Sequence, residues 1–278
     1  MIANYDPEVV NGFGDEWEAF SFNSENLDPQ EVELLFSQFF DIFPWEKIDA
    51  DSIGFDLGCG TGRWVNFIAP KVKKIICIDA SSKALEVAKR NLSQHENCEF
   101  HLASVENMPI EDSTMDFGYS VGVLHHIPDT MDGIKSCTAK LKPGAPFLVY
   151  LYYAFDNKPL WFRYIWKLSD IIRRIVCRLP FKLKYAISQF IALTIYYPLA
   201  KTALLLEKLR ININSFPLSE YRSSSFYAMR SGSLDRFGTK IEKRFTRKEI
   251  KQMMESAGLI NITFSETPPY WKCVGIKQ

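Results

Sequence analysis

The sequence predicts an α/β fold: a doubly wound, mostly parallel seven-stranded sheet interrupted by a helical insertion. Three observations predict it. Short apolar runs alternate with helical-period segments between residues 50 and 152. Several of those runs are apolar throughout, which suits strands of a parallel sheet covered on both faces. The alternation lapses over residues 156–240 and then resumes to the end of the chain.

In chain order, residues 28–43 read as a helix. Asp28-Pro29-Gln30-Glu31 is a capping-box start with proline at the first helical position. Val32, Leu35, Phe36, Phe39, Phe40 and Phe43 then share one face, and Pro44 ends the helix. Residues 53–57 form a strand that runs into glycines, and 63–69 look helical. Residues 74–78 are a second strand ending at Asp79, and Leu85, Ala88 and Leu92 mark a helix stripe. Residues 98–102 and 116–123 are strands three and four. Ile134, Cys137, Thr138 and Leu141 keep helical spacing until Lys142-Pro143-Gly144, and 146–152 is the fifth strand. Residues 158–210 are helical, basic and apolar together, divided at Pro180 and Pro198, and 211–240 show no clear period. Thr246-Arg247-Lys248-Glu249 is a second capping box, Ile250, Met253, Met254 and Ala257 form its stripe, and Gly258 stops it. Residues 260–264 and 270–276 close the sheet. The expected organisation is an acidic N-terminal helical arm (1–50), a core (51–155 and 241–278) and a basic helical cap (156–240).

Of 278 residues, 47% are hydrophobic, 24% charged and 14% aromatic, which excludes a disordered, collagen-like or disulfide-stapled chain. Lysine plus arginine and aspartate plus glutamate both number 33, so nothing favours nucleic acid as a partner. The balance hides an asymmetry. Residues 1–50 carry twelve acids and one base, whereas 158–210 carry eleven bases and two acids. The six cysteines form no CxxC pair, so neither a zinc nor a redox site is expected, and a reducing cytoplasm suits them. The opening MIANYDPEVV does not read as a signal peptide. The longest uncharged stretch, 185–200, has 16 residues and contains Pro198. A bilayer needs about 20, so no transmembrane segment is expected.

The chemistry concentrates in Gly54-Phe55-Asp56-Leu57-Gly58-Cys59-Gly60-Thr61-Gly62-Arg63-Trp64, where a strand ends in glycines before a helix. Glycine permits a sharp turn and lets a ligand approach bare backbone. A dinucleotide site would show GxGxxG. Here the spacing is GxGxG, with Asp56 in front, where it would repel a pyrophosphate and suit a cationic group. Asp79, with Ala80 beside it, can accept two hydrogen bonds from a ribose diol. Ribose and positive charge without phosphate describe S-adenosylmethionine. A nicotinamide dehydrogenase, the third reading of the site, lacks its glycine spacing.

Asp56–Gly62, Asp79, residues 103–110 (ASVENMPI), 119–129 (YSVGVLHHIPD) and Leu141-Lys142-Pro143-Gly144 resemble the successive motifs of class I S-adenosylmethionine-dependent methyltransferases. The likeness is closest to the branch of quinone-ring, natural-product and polysaccharide enzymes, and covers residues 50–152 and, more loosely, 241–278. It implies a Rossmann-like methyltransferase sheet. It also implies that Gly58, Gly60 and Gly62 pass under the amino-acid end of the cofactor, that Asp79 holds the ribose, and that the loop at Ser104 and Val105 binds adenine. The family usually has an acid where Ser104 stands, so adenine is held here without charge. The backbone near Val121 would face the methionine ammonium. Cys59 reads as a small residue of the loop rather than a nucleophile.

Methyl transfer needs an aligned acceptor and, for a hydroxyl, a base. His125 and His126 follow the fourth strand at the ligand edge and are the catalytic candidates, against a purely structural role. No metal cage is expected. Gly12–Phe20 reads either as a lid, with Phe13 and Trp17 excluding water and glycines as hinges, or as an irregular arm packed on the core. In 158–210, Trp161, Tyr164, Ile165, Leu168, Ile172, Ile175 and Leu179 share a helical face, with Arg163, Lys167, Arg173, Arg174 and Arg178 largely elsewhere. The favoured reading is a cap with its apolar side on the core, and the alternative is peripheral contact with an anionic membrane. Tyr221, Arg222, Tyr227 and Arg230 (with Arg236 nearby) are acceptor-side candidates, arginine suiting phosphate or carboxylate, unless they are simple surface structure. The expected function is S-adenosylmethionine-dependent methyl transfer to a small-molecule or glycan/lipid-linked acceptor. The alternative is a non-catalytic cofactor-binding scaffold at a membrane surface.

Overall fold

The computed structural model describes residues 4–22 and 28–278. Residues 1–3 and 23–27 of the expected arm lie outside them. The chain divides into two compact units. The first holds Val32–Ala154, Ile241–Gln278 and the described residues before 23. The second holds Phe155–Lys240 with residues 28–31.

The first unit begins with α1 (Pro7–Ala19) and most of α2 (Pro29–Phe39). Next come β1 (Ile53–Leu57), α3 (Val65–Ile68), β2 (Lys74–Asp79), α4 (Ser82–Asn91), β3 (Cys98–Leu102), β4 (Phe117–Val121), α5 (Thr130–Ala139) and β5 (Pro146–Tyr150). The seven strands lie in the order β3-β2-β1-β4-β5-β7-β6, where β6 is Leu259–Phe264 and β7 is Lys272–Lys277. β1 to β5 pair in parallel, and β7 runs antiparallel to both β5 and β6. The expected doubly wound α/β sheet is therefore present. One face buries Phe55, Leu57, Ile76, Ile78 and Phe147 under α5 and the C-terminal helix Arg247–Ser256. The other buries Ile75, Cys77, Phe117 and Tyr119 under Phe36, Phe40, α3 and α4. The aromatic stripe read over 28–43 holds, although regular helix stops at Phe39: Phe40 and Phe43 stay buried in the turn beyond it. The capping box at Thr246 and Glu249 is formed in full.

Chain order reverses between β1 and β4, so the loops after these strands diverge at the carboxyl edge of the sheet. That crevice is where open α/β sheets bind ligands.

The second unit contains α6 (Leu160–Val176), α7 (Phe181–Ile191), α8 (Tyr197–Lys208) and α9 (Phe226–Gly238), so the helix Arg247–Ser256 of the first unit is α10. Pro180 separates α6 from α7 as expected. Pro198 makes no second break. A π-helical turn, Ala192–Tyr196, joins α7 to α8, and Phe181–Lys208 is one helix of 28 residues. The wider turn accommodates a ring that would press on the carbonyl four residues back, at Thr194. The sequence expectation was of no transmembrane segment. This helix, with a window of mean hydropathy 1.3, is long and apolar enough to cross a membrane by length and composition.

The interior of this unit is partly polar. Arg173 is buried, donates from Nε to Asp170 at 2.6 Å and from Nη1 to the Thr239 carbonyl at 2.9 Å. Ser233 donates to the Ser188 carbonyl at 2.8 Å. The apolar face of α6 is not covered by the other helices of this unit: Leu160, Tyr164, Ile165, Leu168, Ile172 and Ile175 are 45–69% accessible.

Candidate active site

The site is built on the loop between β1 and α3. Gly58, Gly60 and Gly62 take φ of 75°, 53° and 77°, in the left-handed region. At Gly58 a Cβ would stand 2.3 Å from Val123, so space as well as φ demands glycine there, whereas at Gly60, 3.3 Å from the Trp17 indole nitrogen, φ is the main demand. The loop is tied to β2: Gly58 and Cys59 donate N–H to the Ile78 carbonyl at 2.7 and 3.0 Å.

Asp79 fastens this arrangement. Its Oδ2 accepts the Gly60 N–H at 3.0 Å and its Oδ1 accepts the Ser81 N–H at 2.8 Å. Burial raises its pKa, opposed by the N–H groups of Ser81 and Gly60. Each carboxylate oxygen accepts one of these bonds, and each retains capacity for a further donor such as a ribose hydroxyl. Ala80 comes next, half-buried, before Ser81 caps α4.

Two further candidates are buried and unsatisfied within the protein. No donor meets strict hydrogen-bond geometry at either carboxylate oxygen of Asp56; burial pushes its pKa well above the carboxylate range, and the adjoining Tyr119 phenol, itself outside that geometry, is close enough to oppose the rise. The Ser104 hydroxyl, ahead of the turn Val105–Asn107, is likewise buried without a partner. Buried polar atoms are almost always bonded, so orphans beside a glycine loop mark where a ligand's polar groups belong. Asp56, Asp79, Ser104 and the three glycines all lie at the carboxyl ends of β1 to β3, and Val121 ends β4 next to them. The donor set fits a ligand with a cationic end, a ribose and a neutral adenine. Cys59 is no nucleophile: a hydrogen bond with Cys77 draws its pKa down, yet burial pushes it up to about 11.

The structure separates the two histidines. His125 is 0% exposed, with its ring 3.9 Å from both His126 and Tyr152. Burial, then His126 and Arg244, push its pKa well below the ordinary value. His126 donates from Nδ1 to the Ile241 carbonyl at 2.6 Å, which fixes Nε2 as the nitrogen carrying the lone pair.

α1 sits over this loop as a capped helix, not an irregular arm. Asp6 accepts the N–H groups of Glu8 and Val9 at its start. Gly14 is therefore no hinge. It lies within the helix, where a Cβ would come 2.5 Å from Ser81 Oγ, so glycine serves close packing. Trp17 faces Gly60, the Phe13 ring is 4.9 Å from that of His126, and Lys83 of α4 bonds Asp15 and Glu18 at 2.8 and 2.7 Å.

Tyr221, Arg222, Tyr227 and Arg230 lie in the second unit. Arg222 pairs with Glu207 at 2.9 Å, Arg230 donates to Gln189 and Tyr185, and the Tyr221 hydroxyl lies against Gly232. Two residues near the histidines escaped the sequence: Tyr152, stacked on His125, and Arg244, 5.0 Å over the Tyr152 ring and 2.8 Å from Glu242. Their only signal was a tyrosine-rich end to the fifth strand.

Comparison with known proteins places this geometry. Residues 55–144 match a family model described as "Methyltransferase domain". A sterol 4-C-methyltransferase of Caenorhabditis elegans is 32% identical over 98 residues, 34% of this chain and 29% of that protein. A demethylmenaquinone methyltransferase of Staphylococcus saprophyticus is 29% identical over 102 residues, 35% of this chain and 43% of that one. The chain thus spans less than half the length of these curated relatives. A solved S-adenosylmethionine-dependent methyltransferase of Thermotoga maritima shares the fold at a TM-score of 0.52 and 14% identity, over 97% of this chain and 100% of that one. Sheet order, glycine loop and matched segment agree: residues 55–144 are a methyltransferase domain of the class I S-adenosylmethionine-dependent kind.

Proposed function

We propose that the chain transfers a methyl group from S-adenosylmethionine to a small-molecule or glycan/lipid-linked acceptor by direct displacement. The observation that carries this reading is the left-handed glycine loop, pinned to Asp79 and flanked by the unsatisfied polar atoms of Asp56 and Ser104. The bound cofactor supplies an already activated methyl group on a sulfonium, so the protein's work is orientation, exclusion of water and removal of a proton. Asp79 holds the ribose hydroxyls and keeps the loop in register. Ser104 and the Val105 backbone hold adenine. Asp56 and the backbone at Val121 face the cationic end. Trp17 and Phe13 on α1 act as the lid. Nε2 of His126 is the base, and His125 supports its ring.

Relatives named for sterol and menaquinone substrates support a small acceptor. The test is calorimetric titration with S-adenosylhomocysteine, then transfer of labelled methyl to a panel of quinols, sterols and sugar precursors. Binding and transfer to a panel member are expected. Absence of any cofactor uptake by the wild-type chain overturns the proposal.

A further inference from the structure

The second unit buries polar bonds and small residues beside a small apolar cluster and leaves many large apolar side chains outside. A polar bond joins two of its helices, Ser233 of α9 donating to the Ser188 carbonyl of α7, and a buried Arg173–Asp170 pair lies within α6. Ala192, Ala200 and Ala203 are fully buried. Small residues and polar bonds between helices, with large apolar side chains outside, are how helices associate when the surroundings are lipid. The outer face fits that reading. On α6, Leu160, Tyr164, Ile165, Leu168, Ile172 and Ile175 form one continuous exposed stripe. On Phe181–Lys208, Leu183, Phe190, Leu193, Tyr197 and Leu205 are exposed along the side opposite the buried alanines. Exposed apolar surface on this scale calls for an occupant.

Charge identifies the occupant. Residues 158–210 hold eleven bases and two acids. By helical spacing, Arg163, Lys167 and Arg174 run along one flank of the α6 stripe. An apolar face edged by cations matches an anionic bilayer, where apolar side chains enter the acyl boundary and cations meet phosphates. We infer that the second unit docks on an anionic phospholipid bilayer through the stripe of α6 and the outward face of Phe181–Lys208.

Docking is interfacial rather than spanning. The uncharged part of the long helix, 185–200, covers about 24 Å at about 1.5 Å per residue, short of the roughly 30 Å hydrocarbon layer. Lysines at 182, 184 and 201 flank it, and α9, packed beside it, carries Arg230 and Asp235. The inference is independent of methyl transfer, because it uses only the second unit.

The experiment is flotation of the full chain with vesicles of phosphatidylcholine alone or with about one third phosphatidylglycerol. The wild type is expected to float with the anionic vesicles at low salt, and to bind the neutral ones at least about 10-fold less. Ile165→Glu/Ile172→Glu, on the exposed stripe, is expected to cut flotation by about 10-fold or more. Its far-UV circular dichroism and S-adenosylhomocysteine affinity should be unchanged, which separates loss of docking from loss of fold or of the cofactor site. The inference is overturned if the wild type stays at the bottom with anionic vesicles, or if the double variant floats equally well. It is also overturned if the wild type forms a dimer that the double variant abolishes and neither floats, which would assign the face to a second copy.

Discussion

Asp79 shapes the glycine loop through one carboxylate oxygen and starts α4 through the other. Asp79→Ala removes a charged acceptor from both, and each such bond contributes about 1.5–3 kcal/mol. S-adenosylhomocysteine affinity is expected to fall about 10- to 100-fold by calorimetry. Asp56 makes a pH-dependent prediction. Burial raises its folded pKa, so the stability it contributes is complete below the ordinary carboxylate pKa and is lost as pH rises toward the folded value. Asp56→Asn cannot ionise. Its unliganded Tm should match wild type near pH 4 and exceed it increasingly toward pH 8, measured by scanning fluorimetry, while cofactor binding weakens. A pH-independent difference would remove ionisation of Asp56 from the account. His125 behaves oppositely. Its folded pKa is depressed, so its contribution is present above about pH 6.5 and is lost as pH falls below it. His125→Gln should soften acid unfolding in that range. His126→Gln should lower the methyl-transfer rate about 100-fold or more with cofactor affinity intact, read by single-turnover kinetics. Equal rates for His126→Gln and wild type would reduce both histidines to packing.

Among elements, α1 carries the prediction with the most structural detail. Gly14 lets the helix approach Ser81, and a Cβ there would overlap Ser81 Oγ. Gly14→Val should lift α1 and speed cofactor dissociation several-fold, observed by stopped-flow Trp17 fluorescence. Lys83→Ala should do far less, because exposed ion pairs contribute about 0–1 kcal/mol. This helix also shows where sequence reading stopped. Gly12-Phe13-Gly14 suggests a loose arm by local propensity, and only the contact with Ser81 explains glycine inside a helix. Pro198 suggested a break for the same kind of reason, and the π turn that absorbs it leaves no trace in spacing. Conversely, β1 and β2 were legible to within a residue, because each is a short apolar run ended by a glycine or an aspartate that the site itself requires. The glycine loop and Asp79 were legible because glycine at positive φ and a carboxylate at a strand end are demanded locally. The surroundings of the histidines were not, since Tyr152 and Arg244 are 92 positions apart and meet only through the fold. Periodicity located the stripe of α6 correctly but is silent on what it packs against, and within its own unit the stripe is left uncovered.

At the scale of the molecule, each unit has a core of its own. The sheet packs two apolar layers in the first, whereas Val176, Ile191, Tyr196, Ala200, Met229 and Phe237 form a far smaller cluster in the second. Cores of such different size should not melt together, and two-state behaviour is not expected of a chain with two of them. The residues proposed to hold the cofactor, the glycine loop, Asp56, Asp79 and Ser104, all belong to the first unit. A ligand stabilises only what it binds, by about 2.7 kcal/mol at 100 times its dissociation constant. For a unit of this size that is a rise of about 5–10 °C. Calorimetry should therefore resolve two transitions, with S-adenosylhomocysteine moving only the one that belongs to the sheet. Anionic vesicles should move the other, because lipid covers the apolar face that water otherwise meets. A single transition shifted as a whole by either ligand would show the units to be one cooperative body. Cofactor and bilayer would then be thermodynamically coupled, and vesicles would have to raise cofactor affinity by the same factor that cofactor raises vesicle affinity.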